Sequence, residues 1–389
     1  MAEIVVIGGG VVGAAAAYRL ARDGVRATLI DRADSGQATA AGAGIICPGT
    51  SLRPLPAFFP FAAAAVGHYP ALLDALAADG APPTGYETVG ELLVATDDAA
   101  FEDLPELLAL FQARQAAGMP NLGQVSAIDG AEARERFPAL GDAFGALWVP
   151  GAARVDGRLL RDALRHAALG RGAVMLQGEA TLVRKGERIS AVRVDDRTVA
   201  CDAVIIAGGA WSNAFGSVLN VTIPVEPQRG QILHLTLPGV ETGRWPIVTG
   251  MRDHYLLTFP PDRVVAGATR ETGSGYDARM TAGGVHEALN EALRVAPGLA
   301  SATLREVRIG LRPLSPDGLP LLGPVSGLAN AYLATGHGPS GLQLGPYSGE
   351  VVARLAQNQT IDPGLDLMPF AVGRFTEPRP TASLEGATR

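Results

Sequence analysis

The chain has 389 residues, 47% of them hydrophobic and 18% charged, with 49 glycines and a formal net charge of −7. That length allows two domains, the composition is that of a soluble α/β protein, and an acidic balance with no basic cluster excludes an electrostatic footing on nucleic acid. Two cysteines without a C-x-x-C pair, Cys47 and Cys201, and six scattered histidines point to neither a disulfide framework nor a metal site, so both thiols read as small buried hydrophobes.

The first predicted element is a strand, Ile4 to Ile7, followed by Gly8, Gly10 and Gly13 at G-x-G-x-x-G spacing and an alanine-rich helix from about Val11 to Asp23. Gly8 permits the turn, Gly10 lets a pyrophosphate approach the backbone, and Gly13 lets the helix lie close to the strand. The N–H groups that open the helix, from Val11 and Val12 onward, then face the phosphates. Gly24 suits the helix end, and Ala27 to Ile30 form a second strand closed by Asp31, 18 residues after Gly13. A carboxylate there accepts hydrogen bonds from an adenosine ribose and disfavours a 2′-phosphate, so an ADP-containing cofactor other than NADP is expected.

The segment Ala33 to Gly44, leading into Ile45, Ile46 and Cys47, is small and flexible. It could be a plain surface loop, but its place directly after the ribose acid favours contact with a flat ring or a phosphate. Pro60 to Ala78 reads as a helix, Val89 to Thr96 as a strand, and Asp97 to Ala117 as an amphipathic helix with Leu104, Leu107, Leu108 and Phe111 on one face. These interrupt the nucleotide domain. Ala146 to Pro150 and the helix Gly157 to Gly170 return to the α/β rhythm, then strands follow near Val174 to Leu176, Glu179 to Arg184, Ile189 to Val194 and Thr198 to Ala200.

Ala203 to Ala207 is a buried strand running into Gly208, Gly209, Ala210 and Trp211, where a second backbone turn can lie against a dinucleotide or simply punctuate the fold. Arg229 to Leu235, Tyr255 to Phe259 and Val264 to Ala268 look like an antiparallel sheet, with a helix from Gly283 to Ala296, and form a candidate substrate layer. A last strand, Ala331 to Ala334, ends in a glycine turn at Thr335 to Gly341 and a helix to about Ala356. The positive end of that helix can stabilise an anion.

These stretches together resemble the FAD-dependent D-amino-acid oxidase superfamily, closest to glycine oxidase and the bacterial D-amino-acid dehydrogenases. The likeness runs through VVIGGGVVGAAAAYRLA with Asp31, TAAGAGII, VIIAGGAWS, VVAGAT, IGLRPLSPDGLPLLG and ATGHGPSGLQLGPYSGE. It implies an α/β fold: a Rossmann-like FAD-binding domain of the glutathione-reductase type, over 1–81, 146–223 and 308–389, interrupted by an α+β substrate domain over 82–145 and 224–307 whose antiparallel sheet roofs the flavin. Expected FAD contacts, beyond the first glycine turn and Asp31, are Arg32, Thr39, Ala40, Gly42, Ala43, Gly44, Ile45, Ile46 and Thr181. A second group comprises Ala207, Gly208, Gly209, Trp211 and Arg312, and the last glycine turn adds Gly338, Pro339, Ser340, Gly341, Leu342 and Gln343.

By the same resemblance, Arg312 of the GLRP motif grips a substrate carboxylate and Tyr255 assists it; a guanidinium offers a bidentate fork and a phenol adds a neutral donor. Glycine oxidase has a second arginine after the histidine of its GH motif where this chain has Pro339, which points away from strict glycine specificity. No cysteine stands near GLRP, so FAD is expected to be non-covalent.

The implied reaction oxidises the CH–NH bond of a small D-amino acid or glycine-like substrate by hydride transfer to flavin N5, with hydrolysis to a 2-oxo acid and ammonia. A secondary-amine substrate such as sarcosine, proline or hydroxyproline is the alternative. A 2-hydroxy acid, which would want a base such as His254, and a flavin-binding subunit without turnover are less favoured. The electron acceptor is oxygen or a quinone-linked carrier, and a homo-oligomer is compatible with the sequence. With a first strand by residue 4 and a longest apolar run, Ala57 to Val66, about half a membrane span, a cytoplasmic location is expected, or one peripheral to the inner membrane if a quinone is used. Phe58 to Phe61 is assigned to the core.

Overall fold

Strand β1 (Glu3–Ile7) is apolar on both faces because both are covered. Ile4 and Val6 pack into a cluster with the helices, and Val5 and Ile7 into another with Leu182, Ile189 and Val192. The computed structural model describes residues 2–252 and 254–375, and the part of the expected nucleotide domain at 376–389 lies outside them. β1 lies inside a six-stranded sheet ordered Leu321–Pro324, Ala331–Thr335, Ala203–Ile206, β1, β2 (Arg26–Asp31) and Val174–Gln177. All neighbours are parallel except the Leu321–Pro324 edge.

Helix α1 (Val11–Arg22) and the helices Gly157–Gly170 and Gly341–Ala356 cover one face, with α2 (Phe58–Ala78) beyond. A three-stranded antiparallel meander over 180–200 covers the other. This is the expected Rossmann-like layering. α1 and Gly341–Ala356 lie side by side because Gly349 has no side chain: a Cβ there would overlap the Val12 carbonyl oxygen. Two helix starts are thereby placed next to each other at one end of the sheet.

α2 is 21 residues long and, by length and composition alone, apolar enough to cross a membrane. The helix agrees with the one expected from Pro60 to Ala78, and it outruns its unbroken apolar stretch by continuing through His68 and Asp74. Its face of Phe58, Phe61, Ala65, Tyr69, Leu72 and Leu76 belongs to the core, so the Phe58 to Phe61 segment sits where it was expected. Both cysteines are buried.

The second large sheet has nine strands. Eight follow in the order Glu271–Thr272, Glu226–Thr236, Arg263–Gly267, His254–Phe259, Ile247–Met251, Glu91–Ala95, Gly145–Val149 and Ser126–Asp129, and Thr303–Leu314 pairs along Glu226–Thr236. It is mixed rather than purely antiparallel, because Ile247–Met251 runs parallel to Glu91–Ala95. Two expected boundaries fall inside its strands. Residues 145–149 pair with 91–95, and 303–314 pair with 226–236, so neither 146 nor 308 is a point of return to the nucleotide sheet. The sequence shows that return by its helix and glycine motifs, whereas neither the apolar strand Gly145–Val149 nor the charged strand Thr303–Leu314 carries a mark of which sheet it joins.

α3 (Asp98–Ala116) packs on this sheet with Leu104 and Phe111 buried and Leu107 and Leu108 partly so, and Asp97 caps it by accepting from Ala100 N.

Candidate functional site

Between the two sheets lies a cavity of about 900 Å³. Its floor is built by the strand ends of the parallel sheet, the place where α/β folds bind ligands. Gly8, Gly10, Val11 and Val12 line it, as do Gly338, Pro339, Gly341, Leu342 and Gln343, so the two glycine turns at opposite ends of the sequence meet in one space. Arg312 lines the same space. It stands near the end of Thr303–Leu314, a strand that begins in the roof sheet and finishes against the floor, where Leu311 N donates to Gly36 O at 2.8 Å and Leu314 bridges to His337. That crossing strand carries the guanidinium to the junction of roof and floor.

The remaining expected contacts sort clearly. Asp31, Arg32, Thr39, Gly42, Ala43, Gly44, Ile45, Thr181, Ala207, Gly208, Gly209, Trp211 and Tyr255 line the cavity. Gly13, Ala40, Ile46 and Ser340 do not. A Cβ at Gly13 would overlap the Gly8 carbonyl oxygen, so its part is to let α1 lie against β1. Ile46 is fully buried beneath the wall, and the Ser340 hydroxyl accepts from Arg53 at 2.9 Å.

Asp31 is held rather than loose. Its Oδ1 accepts from Ala33 N at 3.1 Å, and its Oδ2 is in contact with Arg165, whose Nε also donates to Gly9 O at 2.9 Å. Arg165 was missed from the sequence, although Arg161 and Arg165 stand one helical turn apart on Gly157–Gly170 and both reach toward this end of the cavity, Arg161 meeting Gln37 at 3.4 Å. Also unmarked were Gly230, Arg270 and Tyr276. Gly230 lies under Arg312, whose guanidinium occupies the space a Cβ would need. The Tyr276 hydroxyl lies within hydrogen-bond distance of Ala210 O at 3.0 Å and Asn213 Oδ1 at 2.9 Å, and its ring stacks on Trp211 at 5.8 Å, tying the roof to the Gly-Gly turn.

The residues present fit FAD. Neither α1 nor Gly341–Ala356 has an acid in its first turn or a bond from its own N-cap side chain, and both starts open on the cavity, with Val11 N alone taken, by Thr39 Oγ1 at 3.0 Å. Helix starts of this kind, with N–H groups left open to a ligand, are anion sites. At the far end Asp31 is placed for a ribose, and between them the walls are glycine and alanine, against which a flat ring can lie.

At the roof end the charges are arranged differently. Arg312 is largely buried and donates from Nη1 to Thr269 O at 2.9 Å. Burial lowers its affinity for the proton, yet a guanidinium starts so high that it stays charged. Burial pushes the Tyr255 phenol above its ordinary value, with Arg312 and Arg270 pulling the other way, so it remains a donor. His337 is buried, meets Ser348 Oγ at 2.9 Å, and is pushed down to about 4 by burial, which keeps it neutral at pH 7.

A pH dependence follows from His337 and from His234, which burial, with the nearby Arg308 and Arg263, pushes down to about 3. Each binds a proton in the unfolded chain below about pH 6.5 but not in the folded one. The unfolded state then holds more protons, so stability falls as pH drops from about 6.5 toward 4. Urea midpoints should decline over that window, and His234→Leu, which removes one of the two groups, should flatten the decline. A flat profile for the parent protein would contradict this.

Comparison with known proteins agrees with the geometry. The family described as "DAO: FAD dependent oxidoreductase" matches residues 3–355. The oxidoreductase YurR of Bacillus subtilis is 39% identical over 371 residues, covering 95% of this chain and 98% of its own. The glycine oxidase of Pseudomonas putida is 30% identical over 95% of this chain and 98% of its own. Among solved structures, the iminodiacetate oxidase of Chelativorans sp. BNC1 superposes with a TM-score of 0.90 at 38% identity, covering 95% of this chain and 98% of that one. The chain belongs to the DAO family of FAD-dependent oxidoreductases.

Proposed function

We propose that this protein oxidises the CH–NH bond of a small amine that bears a carboxylate. The observation that carries this reading is Arg312: a largely buried guanidinium at the roof of the cavity that holds both glycine turns, with the Tyr255 phenol beside it. A fork and a neutral donor facing one space suit a carboxylate. Glycine oxidase and iminodiacetate oxidase, both similar to this chain, are named for small carboxylated amines, which supports the same assignment.

When bound, FAD supplies the hydride acceptor at its N5. The protein's part is placement. Arg312 and Tyr255 fix the acid group, and neutral His337 adds no further positive charge to the lining. A base is not required if the amine arrives deprotonated.

The base named for the 2-hydroxy-acid reading is not in the cavity. His254 lies outside the cavity lining, with Nε2 3.4 Å from Glu287 Oε1.

Anaerobic mixing of the yellow protein with glycine, D-alanine, sarcosine, D-proline and a 2-hydroxy acid tests the proposal. Bleaching of the flavin absorbance by at least one amine is expected. Bleaching by the hydroxy acid alone would overturn it, and admitting oxygen afterwards distinguishes an oxidase from a dehydrogenase.

A further inference from the structure

Residues 273–281 leave the short strand Glu271–Thr272 and run to the start of the helix Ala282–Val295, so both ends of this segment belong to the roof. Its base is fixed there. Arg229 N donates to Ser274 Oγ at 3.2 Å, and Arg229 Nη1 donates to Asp277 O at 3.2 Å and Asp277 Oδ2 at 2.8 Å. Beyond these ties the chain reaches the floor at two places. Tyr276 sets its hydroxyl against Ala210 O and Asn213 Oδ1 and its ring on Trp211. Ala278 lies on Gly36, where a Cβ would come within 2.8 Å of the Ala278 Cβ.

The two floor contacts stand on opposite sides of the first glycine turn. Gly36 follows β2 and Ala210 follows Ala203–Ile206, the two strands that flank β1, and Gly8 to Gly10 at the end of β1 lie between them. Gly8, Gly10, Trp211, Asn213 and Tyr276 all line the cavity. The segment therefore bridges the groove at the level of the turn expected to hold a pyrophosphate.

Its floor side is the weaker one. Among the described residues, Tyr276 alone gives it hydrogen bonds to the floor, and that side chain is 46% exposed. Gly273 and Gly275, just before it, hold φ of +80° and +57°, and a Cβ at either would meet no atom within 4 Å. Glycine there supplies backbone conformation rather than close packing, which suits a hinge.

We propose that residues 273–281 form a strap over the FAD groove, latched by Tyr276, which must come away from Trp211 before the cofactor can enter or leave. This rests on the FAD site alone and holds whichever amine is oxidised. Tyr276 then governs how often the groove opens, in both directions. A plain contact with the bound cofactor would slow departure only.

The rates of FAD binding and release separate the two. Association is read from the quenching of flavin fluorescence when FAD is mixed with the cofactor-free protein, and release from the recovery of fluorescence when the yellow protein is diluted. Loss of one hydrogen bond and one aromatic pair moves an opening equilibrium by about ten- to hundredfold. Tyr276→Ala should speed both rates by about tenfold or more, and leave their ratio, the dissociation constant, within about threefold of the parent. Tyr276→Phe keeps the ring and loses the hydroxyl, so both rates should rise by about three- to tenfold. Should the alanine variant fail to fold, as its far-UV circular dichroism would show, the phenylalanine variant carries the test.

A release rate that rises while association stays at the parent value would make Tyr276 a wall of the cofactor site and overturn the strap. Rates unchanged in both directions in a folded variant would overturn it as well.

Discussion

Replacing Arg312 by leucine is expected to raise KM for a carboxylated amine by between about 30-fold and a few thousand-fold, with a smaller change in kcat. The range follows from the roughly 2–5 kcal/mol lost when one partner of a buried charge pair is truncated, at about 1.4 kcal/mol per tenfold. The effect should fall on KM because the carboxylate is a remote handle, held equally before and during the chemical step. Arg312 also touches the structure around it, lying across Gly230 and donating to Thr269 O. Flavin content and melting temperature must therefore be measured beside the kinetics. Arg312→Lys keeps a point charge but loses the fork, and about a tenfold penalty is expected. A flavin-loaded Arg312→Leu protein with an unchanged KM would show that the clamp is elsewhere.

How much of this site could be read from the chain depends on whether the chemistry is local. Gly8, Gly10, Gly13 and Asp31 are legible because a strand, a tight turn, a helix start and a strand end follow one another within 31 residues. The last glycine turn is legible for the same reason. Gly230, Arg270 and Tyr276 are not, since each is brought to the cavity by pairing between distant strands or by a loop crossing from the roof. Gly230 faces Gly310 across the sheet, 80 positions away, and a glycine in a strand gives no sign of the guanidinium that will lie on it.

The same distinction explains the boundaries. The helix Gly157–Gly170 has the bounds expected from the sequence, and the structure shows what fixes its start: Asp156 accepts from Arg158 N and Leu159 N. Strand Gly145–Val149 looks alike whether it joins one sheet or the other, and only its partner Glu91–Ala95 decides. Ile247–Met251, which joins the two halves of the roof, contains Gly250 at a positive φ and has no alternation to mark it.

The first glycine turn itself makes a sharper prediction, because two of its glycines do different physical work. At Gly13 a Cβ would overlap the Gly8 carbonyl oxygen whatever is bound, so Gly13→Ala must push α1 off β1. Overpacking of this kind costs about 3 kcal/mol, and the cofactor-free protein should melt roughly 5 °C lower. At Gly10 the only atom of the described residues near a Cβ, its chain neighbours aside, is Thr39 Oγ1 at 3.1 Å, a hydroxyl that bonds Val11 N and can yield a little. Gly10→Ala should therefore leave the cofactor-free melting temperature within about 2 °C of the parent, while placing a methyl group where a pyrophosphate must reach the backbone. Its FAD dissociation constant, read from quenching of flavin fluorescence, should rise about 10- to 100-fold, or about 1.4–2.8 kcal/mol. Loss of stability without loss of affinity at Gly10, or the reverse at Gly13, would mean that the phosphate end of the cavity has been placed on the wrong side of the turn.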